Sequence, residues 1–228
     1  MGLSRRRLLQ ATGVTGVAAL GGCLSLGQSG DSNGDYNVAD APIPDNPGKH
    51  TYAIAGTGNA DTTVQYFSNW KCPYCAQFST GFLHTVMSDY VEPGKIDLEF
   101  RSLAYYNGKP FLGADAPRAS EAGLAVWNVD PQSFWKYYEQ VFSNQPSEQK
   151  QWATTDKLLS FMKKAGVKHR DEIKSQIESK KYESELQKTD QAAQKAGVNS
   201  TPMLIIDGQT VAALKTDKVT KLLDSATN

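Results

Sequence analysis

The sequence predicts an α/β fold whose sheet is interrupted along the chain by an inserted α-helical domain. Three observations predict it: strand-like runs occur before residue 113, more follow after residue 190, and an almost continuous helical pattern separates them. The chain has 228 residues and is 39% hydrophobic, which is compatible with a packed core.

Residues 49–112 are predicted to form the first part of the sheet. The run TTVQYF at 62–67 is β-branched and aromatic, and KIDLEFRSL at 95–103 places alternate apolar residues on one face. Both patterns indicate strands. Between them, apolar residues from 73 to about 89 recur at helical spacing, so the predicted order is strand, helix, strand.

Residues 113–190 are predicted to be the inserted helical domain. Asp130-Pro131, Thr155 and two Lys-Ala-Gly-Val endings supply helix starts and stops, since glycine tolerates the left-handed conformation that closes a helix. Residues 191–228 complete the sheet: PMLIID and QTVAAL flank an Asp-Gly turn of hairpin type. A last helix is predicted over roughly 216–225.

Residues 1–22 are predicted to be an export signal. Three arginines at 5–7 precede an uncharged, glycine-rich apolar stretch, which is too short for a spanning helix of about 20 strongly apolar residues. SRRRLL at 4–9 resembles the twin-arginine export motif. LGGC at 20–23 resembles a lipobox, which implies that Cys23 carries a lipid. An ordinary signal peptide with an incidental cysteine is the alternative.

Residues 23–48 are predicted to be a disordered tether, because Ser, Gly, Asp, Asn and Pro dominate them. The signal and tether together predict a domain on the extracytoplasmic face of the membrane, anchored through Cys23. Removing residues 1–22 takes away three arginines, so 24 − 3 = 21 basic residues remain against 24 acidic ones, a net charge of −3. This balance favours no nucleic-acid partner.

Two of the three cysteines lie in NWKCPYCAQF, residues 69–78. A closed zinc site needs about four ligands, so this pair predicts no metal. A purely structural disulfide would close a very small loop and stabilise the fold little. A redox role fits better: Cys72 is expected at the N-cap of a helix that begins at Pro73, where free N–H groups and the helix dipole favour a thiolate. Thiols in Cys-x-x-Cys motifs can have a pKa of about 3.5 to 7.5.

The motif CPYC between a strand and a helix, the helical insertion, and GVNSTPMLIIDG at 197–208 together resemble the DsbA-like thiol:disulfide oxidoreductases. The resemblance extends from His50 to the C-terminus and implies a thioredoxin-like fold. It also implies that Pro202 follows a cis peptide bond and lies against the cysteine pair, with the backbone of Thr201 available to bind substrate.

The remaining site residues are expected around this pair. Pro73 and Tyr74 support it, and Trp70 is expected in an apolar surface that binds unfolded chains, although an aromatic residue there could equally belong to the core. Relatives often carry a buried acidic residue on the strand that enters the motif. Here that strand reads VQYF, so Gln65 or Tyr66 is the candidate replacement.

The resemblance implies dithiol/disulfide exchange with no cofactor other than the redox-active Cys72–Cys75 disulfide. Cys72 exchanges with substrate and Cys75 resolves the mixed disulfide. Because disulfides persist outside the cytoplasm, the expected substrates are unfolded or reduced exported proteins, and a membrane redox partner restores the disulfide.

Oxidation of newly exported proteins is the expected direction of electron flow. Tyr74 stands where strongly oxidising relatives have histidine, which predicts a potential between about −120 mV and about −230 mV. A reductase for a specific extracytoplasmic client and a redox-inert peptide-binding module are the alternatives.

Overall fold

A five-stranded mixed sheet forms the centre of the protein, in a computed structural model that describes residues 36–228. The strand order is β1-β3-β2-β6-β7, with β4 and β5 in a separate two-stranded hairpin. The strands are β1 (Ala53–Ala55), β2 (Thr62–Ser68), β3 (Ile96–Ser102), β4 (Tyr105–Tyr106), β5 (Lys109–Pro110), β6 (Met203–Ile206) and β7 (Gln209–Ala212). The helices are α1 (Pro73–Ser79), α2 (Phe82–Val86), α3 (Ala116–Val129), α4 (Phe134–Phe142), α5 (Thr155–Lys164), α6 (Arg170–Glu178), α7 (Glu183–Lys195) and α8 (Thr216–Ala226).

The central strand β2 connects the two sequence segments that build the sheet. It runs parallel to β3, with Val64 opposite Leu98, and antiparallel to β6, with Tyr66 opposite Leu204. All four of these side chains are buried, as expected for a strand that is covered on both faces. The predicted α/β fold with an inserted helical domain is confirmed. The sheet strands before and after the insertion are also confirmed, whereas β1, β4 and β5 are too short to give a periodic signal.

The helix predicted from residue 73 to about 89 is broken. The structure has α1, then α2, then a π-helical turn at Met87–Val91. At the break, the Thr80 hydroxyl donates to the carbonyl of Ala76 at 2.9 Å. This is the local side-chain bond by which threonine competes with helix continuation. A Cβ atom at Gly81 would lie 2.9 Å from the carbonyl oxygen of Gln77, so the following turn also needs glycine.

The helical insertion supplies much of the aromatic core. We call Trp70, Phe100, Phe134, Tyr138 and Phe142 the aromatic cluster. All five are buried, and their rings meet at centroid distances of 4.6 to 6.4 Å, within or close to the usual range for aromatic pairs. The predicted boundary of the insertion at residue 190 falls inside α7.

The prediction of a disordered tether is wrong for residues 36–48. Val38 is completely buried in the core, within a short 3-10 turn (Val38–Asp40) that contacts α4. The backbone N–H of Gly56 donates to the carbonyl of Pro42 at 2.8 Å. Composition alone missed this because a few small apolar residues suffice when a preformed helix face receives them. The predicted signal, Cys23 and the tether up to residue 35 lie outside the described residues.

None of the helices within residues 36–228 has the length and apolar character needed to cross a membrane.

Helix α3 approaches the aromatic cluster closely at Gly123, where an added Cβ atom would lie 2.6 Å from Trp70 Cζ2. We therefore expect Gly123→Ala to lower the free energy of unfolding by about 1 to 3 kcal/mol through overpacking. Urea unfolding followed by tryptophan fluorescence measures it. Gly48→Ala is the control, because nothing lies within 4 Å of its added Cβ, and its change should stay within about 0.5 kcal/mol. Equal stability of the two variants would contradict the close packing.

Candidate active site

Cys72 lies between the end of β2 and the start of α1. It is the N-cap of α1, with Pro73 as the first helical residue, as the sequence predicted. Its sulfur accepts a hydrogen bond from the backbone N–H of Cys75 at 3.4 Å. Both cysteines are free thiols; Cys72 is 4% exposed and Cys75 is fully buried.

The Thr201–Pro202 segment, which directly precedes β6, lies beside Cys72. The Thr201–Pro202 peptide bond is cis, as the resemblance implied. The Cys72 thiol donates to the carbonyl oxygen of Thr201 at 3.4 Å. This contact joins residues 129 positions apart, and it forms because β6, which follows Pro202, pairs with β2, which precedes Cys72.

The two sulfurs have opposite electrostatic environments. The hydrogen bond with the Cys75 side chain lowers the pKa of Cys72 to about 6, against the opposing effect of burial, and the Thr201 side chain and the backbone N–H groups of Cys75 and Tyr74 act in the same direction. Complete burial raises the pKa of Cys75 well above its usual value, and the interactions with Cys72 act in the same direction. At neutral pH the pair therefore carries its negative charge on Cys72.

The turn that carries Cys72 is held by two side-chain amides. The Asn69 amide donates to the carbonyls of Leu103 at 2.8 Å and Phe111 at 3.0 Å. Gln145, which follows α4, donates from Nε2 to the carbonyls of Trp70 at 3.0 Å and Cys72 at 3.1 Å. Sequence reasoning missed both. A polar residue directly after a buried strand was a usable signal for Asn69, whereas nothing local marks Gln145.

Lys71, the residue directly before Cys72, is a buried lysine. Its side chain is 1% exposed and forms an ion pair with Asp115. The second carboxylate oxygen of Asp115 accepts from the backbone N–H of Ala153 at 2.9 Å. Burial alone would raise the pKa of Asp115, but the bonds from Lys71 and Ala153 and the charge of Lys71 hold it below its usual value.

Trp70 is part of the core, so the prediction that it binds substrate is wrong. It is 1% exposed, stacks on Phe142 with ring centroids 5.3 Å apart, and meets Phe100 edge to face at 5.2 Å. The turn after β2 directs this ring under α4 rather than toward solvent. By contrast, Tyr74 is 61% exposed and is the aromatic side chain that the motif presents at the surface.

Within residues 36–228, no group of three or more His, Cys, Asp or Glu side chains is arranged to hold a metal ion. What the described residues do provide is a pair of thiols of very different acidity at a helix N-terminus, beside a cis-proline segment on a thioredoxin-like sheet. This combination defines the class of the thiol:disulfide oxidoreductases.

Comparison with known proteins agrees with this class. The sequence model of the family described as Thioredoxin matches residues 49–225. "Probable disulfide bond formation protein D" of Bacillus cereus is 29% identical over 175 residues, which cover 76% of this chain and 78% of the relative. "Disulfide bond formation protein D" of Bacillus subtilis is 26% identical over 159 residues, covering 69% of this chain and 68% of the relative.

Solved structures share the fold. Oxidised BdbD from Bacillus subtilis superposes with a TM-score of 0.70 at 23% identity and covers 82% of this chain and 97% of that one. DsbA from Chlamydia trachomatis gives a TM-score of 0.64 at 17% identity, with coverage of 76% and 90%. The chain belongs to the thioredoxin family and is a DsbA-like thiol:disulfide oxidoreductase.

The buried Lys71–Asp115 pair predicts a large effect of removing one partner. Lys71→Met leaves the Asp115 carboxylate buried without its cation, so we expect the free energy of unfolding at neutral pH to fall by about 3 to 5 kcal/mol. The double variant Lys71→Met, Asp115→Asn removes both charges and should recover most of that loss in urea unfolding. A double variant as unstable as the sum of its two single variants would contradict the pairing.

The pKa of about 6 for Cys72 predicts how the stability of the reduced protein depends on pH. Because the folded-state pKa lies below the unfolded one, the thiolate contributes stability that is complete above the unfolded pKa and is lost as pH falls through about 6. The oxidised protein has no titrating thiol there and should lack this dependence. Unfolding of both forms from about pH 5 to about pH 9 measures the difference.

Cys72→Ser is the matched control for this measurement, and it should remove from the reduced protein the stability that the parent loses as pH falls through about 6. The thiolate absorbance of the reduced parent should titrate with the same midpoint. A midpoint near the value of an ordinary free thiol, about 8.5, would contradict the assigned environment.

Proposed function

We propose that the protein is an extracytoplasmic dithiol oxidase that transfers the Cys72–Cys75 disulfide to reduced exported proteins. The observation that carries the proposal is the position of Cys72 at the N-cap of α1, next to the fully buried Cys75, an environment that lowers the pKa of Cys72 to about 6. A stabilised thiolate favours the reduced form of the enzyme, and a disulfide whose reduced form is stabilised is a strong oxidant.

The exchange proceeds in two steps through Cys72. A client thiolate attacks the Cys72 sulfur, a client–Cys72 bond forms, and Cys75 leaves with the electron pair of the enzyme disulfide. A second client thiolate then attacks the client sulfur of the mixed disulfide, which creates the client disulfide and releases the Cys72 thiolate. The client loses two electrons and the enzyme gains them, so a membrane redox partner must reoxidise the pair.

The client is proposed to lie along the surface beside Cys72. The carbonyl of Thr201, 3.4 Å from the Cys72 sulfur, supports backbone pairing of an extended client next to Pro202. Exposed Pro73 and Tyr74 support an apolar contact there, in place of the buried Trp70.

Different observations support the proposed cellular location and the proposed direction of electron flow. Residues 1–22 and Cys23 support twin-arginine export and a lipid anchor on the extracytoplasmic face. The names of the Bacillus relatives support formation rather than reduction of disulfides. Tyr74 supports a potential between about −120 mV and about −230 mV, and a measured potential below about −270 mV would instead favour the reductase alternative.

Trapping tests the catalytic roles. Cys75→Ala removes the resolving sulfur, so the mixed disulfides that form when the Cys72 thiolate attacks client disulfides should accumulate, and their mass spectra would identify the clients. Cys72→Ser is the control and should trap none. The variant Cys72→Ser, Cys75→Ser should not accelerate the oxidative folding of reduced ribonuclease. Parent-like acceleration by that variant would favour a redox-inert peptide-binding module.

A further inference from the structure

Attack on Cys72 creates a charge problem at Cys75, if the proposed function holds. The departing Cys75 sulfur becomes a thiolate at a site that is completely buried, where an unpaired charge is costly. The backbone N–H of Asn69 donates to this sulfur at 3.4 Å. The Lys71 amine is paired with Asp115 and is not among the groups that affect the pKa of Cys75, so we look to neutral donors for further stabilisation.

Ser68, the last residue of β2, has a side-chain hydroxyl that makes no hydrogen bond among the described residues. The residue is fully buried. Its backbone carbonyl is already used, since it accepts from the N–H of Leu103 at 2.7 Å. A buried hydroxyl that stays unpaired costs about 1 to 3 kcal/mol. A hydrogen bond formed by this hydroxyl at another stage of the reaction would remove that cost.

Two observations place Ser68 in the neighbourhood of Cys75. Ser68 lies next to Asn69, whose N–H contacts the Cys75 sulfur. Independently, the Ser68 side chain counteracts the effect of burial and lowers the pKa of Cys75. The Thr201 hydroxyl is likewise buried without a partner and acts on Cys75 in the same sense. A hydroxyl that makes no hydrogen bond to a neutral thiol can donate one when the sulfur becomes a thiolate, and this bond stabilises the charged form.

Further hydroxyls lie behind Ser68. Tyr66, two positions earlier on the same face of β2, has its hydroxyl 3.4 Å from both Ser79 Oγ and the Tyr138 hydroxyl, and the last two bond to each other. All three residues are fully buried. Burial and the charge of Cys75 raise the pKa of Tyr66, which keeps it a neutral donor, and Ser68 interacts with the same hydroxyl.

Gln65 does not take part. It alternates to the other face of β2, and its amide donates to Glu99 at 3.4 Å. Of the two candidates for the missing acidic residue, Tyr66 is therefore the one on the side of Cys75.

We propose that the Ser68 hydroxyl, backed by Tyr66, Ser79 and Tyr138, donates a hydrogen bond to the departing Cys75 thiolate and so speeds disulfide exchange in both directions. The client sulfur bonds to Cys72, the Cys72–Cys75 bond breaks, and its electron pair stays on Cys75. The proton that the client thiol released to solvent then returns to Cys75 and restores a neutral thiol. No other oxidant, reductant or base is required.

This assignment predicts a change in rate without a change in equilibrium. The donor acts on a thiolate that is present only during exchange, since Cys75 is uncharged in both the disulfide and the relaxed dithiol. Ser68→Ala should therefore slow the reduction of the enzyme disulfide by glutathione, and its re-formation by oxidised glutathione, by the same factor of about ten or more. The equilibrium constant with glutathione should stay within about twofold of the parent, and Ser68→Thr should restore most of the rate.

Ser102→Ala is the matched control. Ser102 is the register partner of Ser68 on β3 and is also buried, but its hydroxyl bonds to Ser120 at 2.6 Å. Its exchange rates should equal those of the parent. If Ser68→Ala does not fold, Tyr66→Phe decides, because it removes the hydroxyl behind Ser68 and should slow both directions about two- to threefold.

Three outcomes would overturn the assignment: parent-like rates in both Ser68→Ala and Tyr66→Phe, an equal slowing in Ser102→Ala, or a rate loss in Ser68→Ala that comes with a matching shift of the equilibrium. A parent enzyme that does not exchange disulfides at all would contradict the proposed function itself. An active parent with unaffected Ser68 and Tyr66 variants would contradict only this inference.

Discussion

The pairing of β2 with β6 is the constraint on which the site depends. It sets Phe67 opposite Met203, and this register brings the segment before β6 to the end of the strand that leads into the cysteine motif. The Thr201 carbonyl consequently lies 3.4 Å from the Cys72 sulfur. The whole helical insertion separates these strands in sequence. The site therefore forms only when β6 pairs with β2.

The chemistry follows from the inequality of two sulfurs that are three residues apart. Cys72 stands at a helix N-terminus and receives hydrogen bonds, which lower its pKa, whereas Cys75 lies one turn deeper, where burial raises its pKa. The negative charge therefore rests on the less deeply buried of the two cysteines. The burial that keeps Cys75 neutral also makes its transient thiolate unfavourable. Hydroxyl donors on β2 that stabilise this thiolate therefore affect the rate of exchange.

The inserted helical domain packs on the sheet and also holds the residues around Cys72 in place. Gln145 bonds the backbone of Trp70 and Cys72, Asp115 receives the buried Lys71, and Phe142 stacks on Trp70. A buried ion pair adds little net stability over an apolar pair of the same shape. Its geometric effect is to tie the residue before Cys72 to the start of α3.

The sequence by itself determined the fold class, the order of the sheet segments, the N-cap position of Cys72 and the Thr201–Pro202 element, because strand periodicity, helix capping and short motifs are local properties. The tertiary structure alone decided that Trp70 and Lys71 are buried, that Asn69 and Gln145 hold the turn, and that residues 36–48 pack on α4. Burial and pairing of a side chain depend on what distant segments place beside it. The roles of Ser68 and Tyr66 belong to the same category, since β2 displays their hydroxyls in sequence but only the packing of α1 and α4 shows what they face.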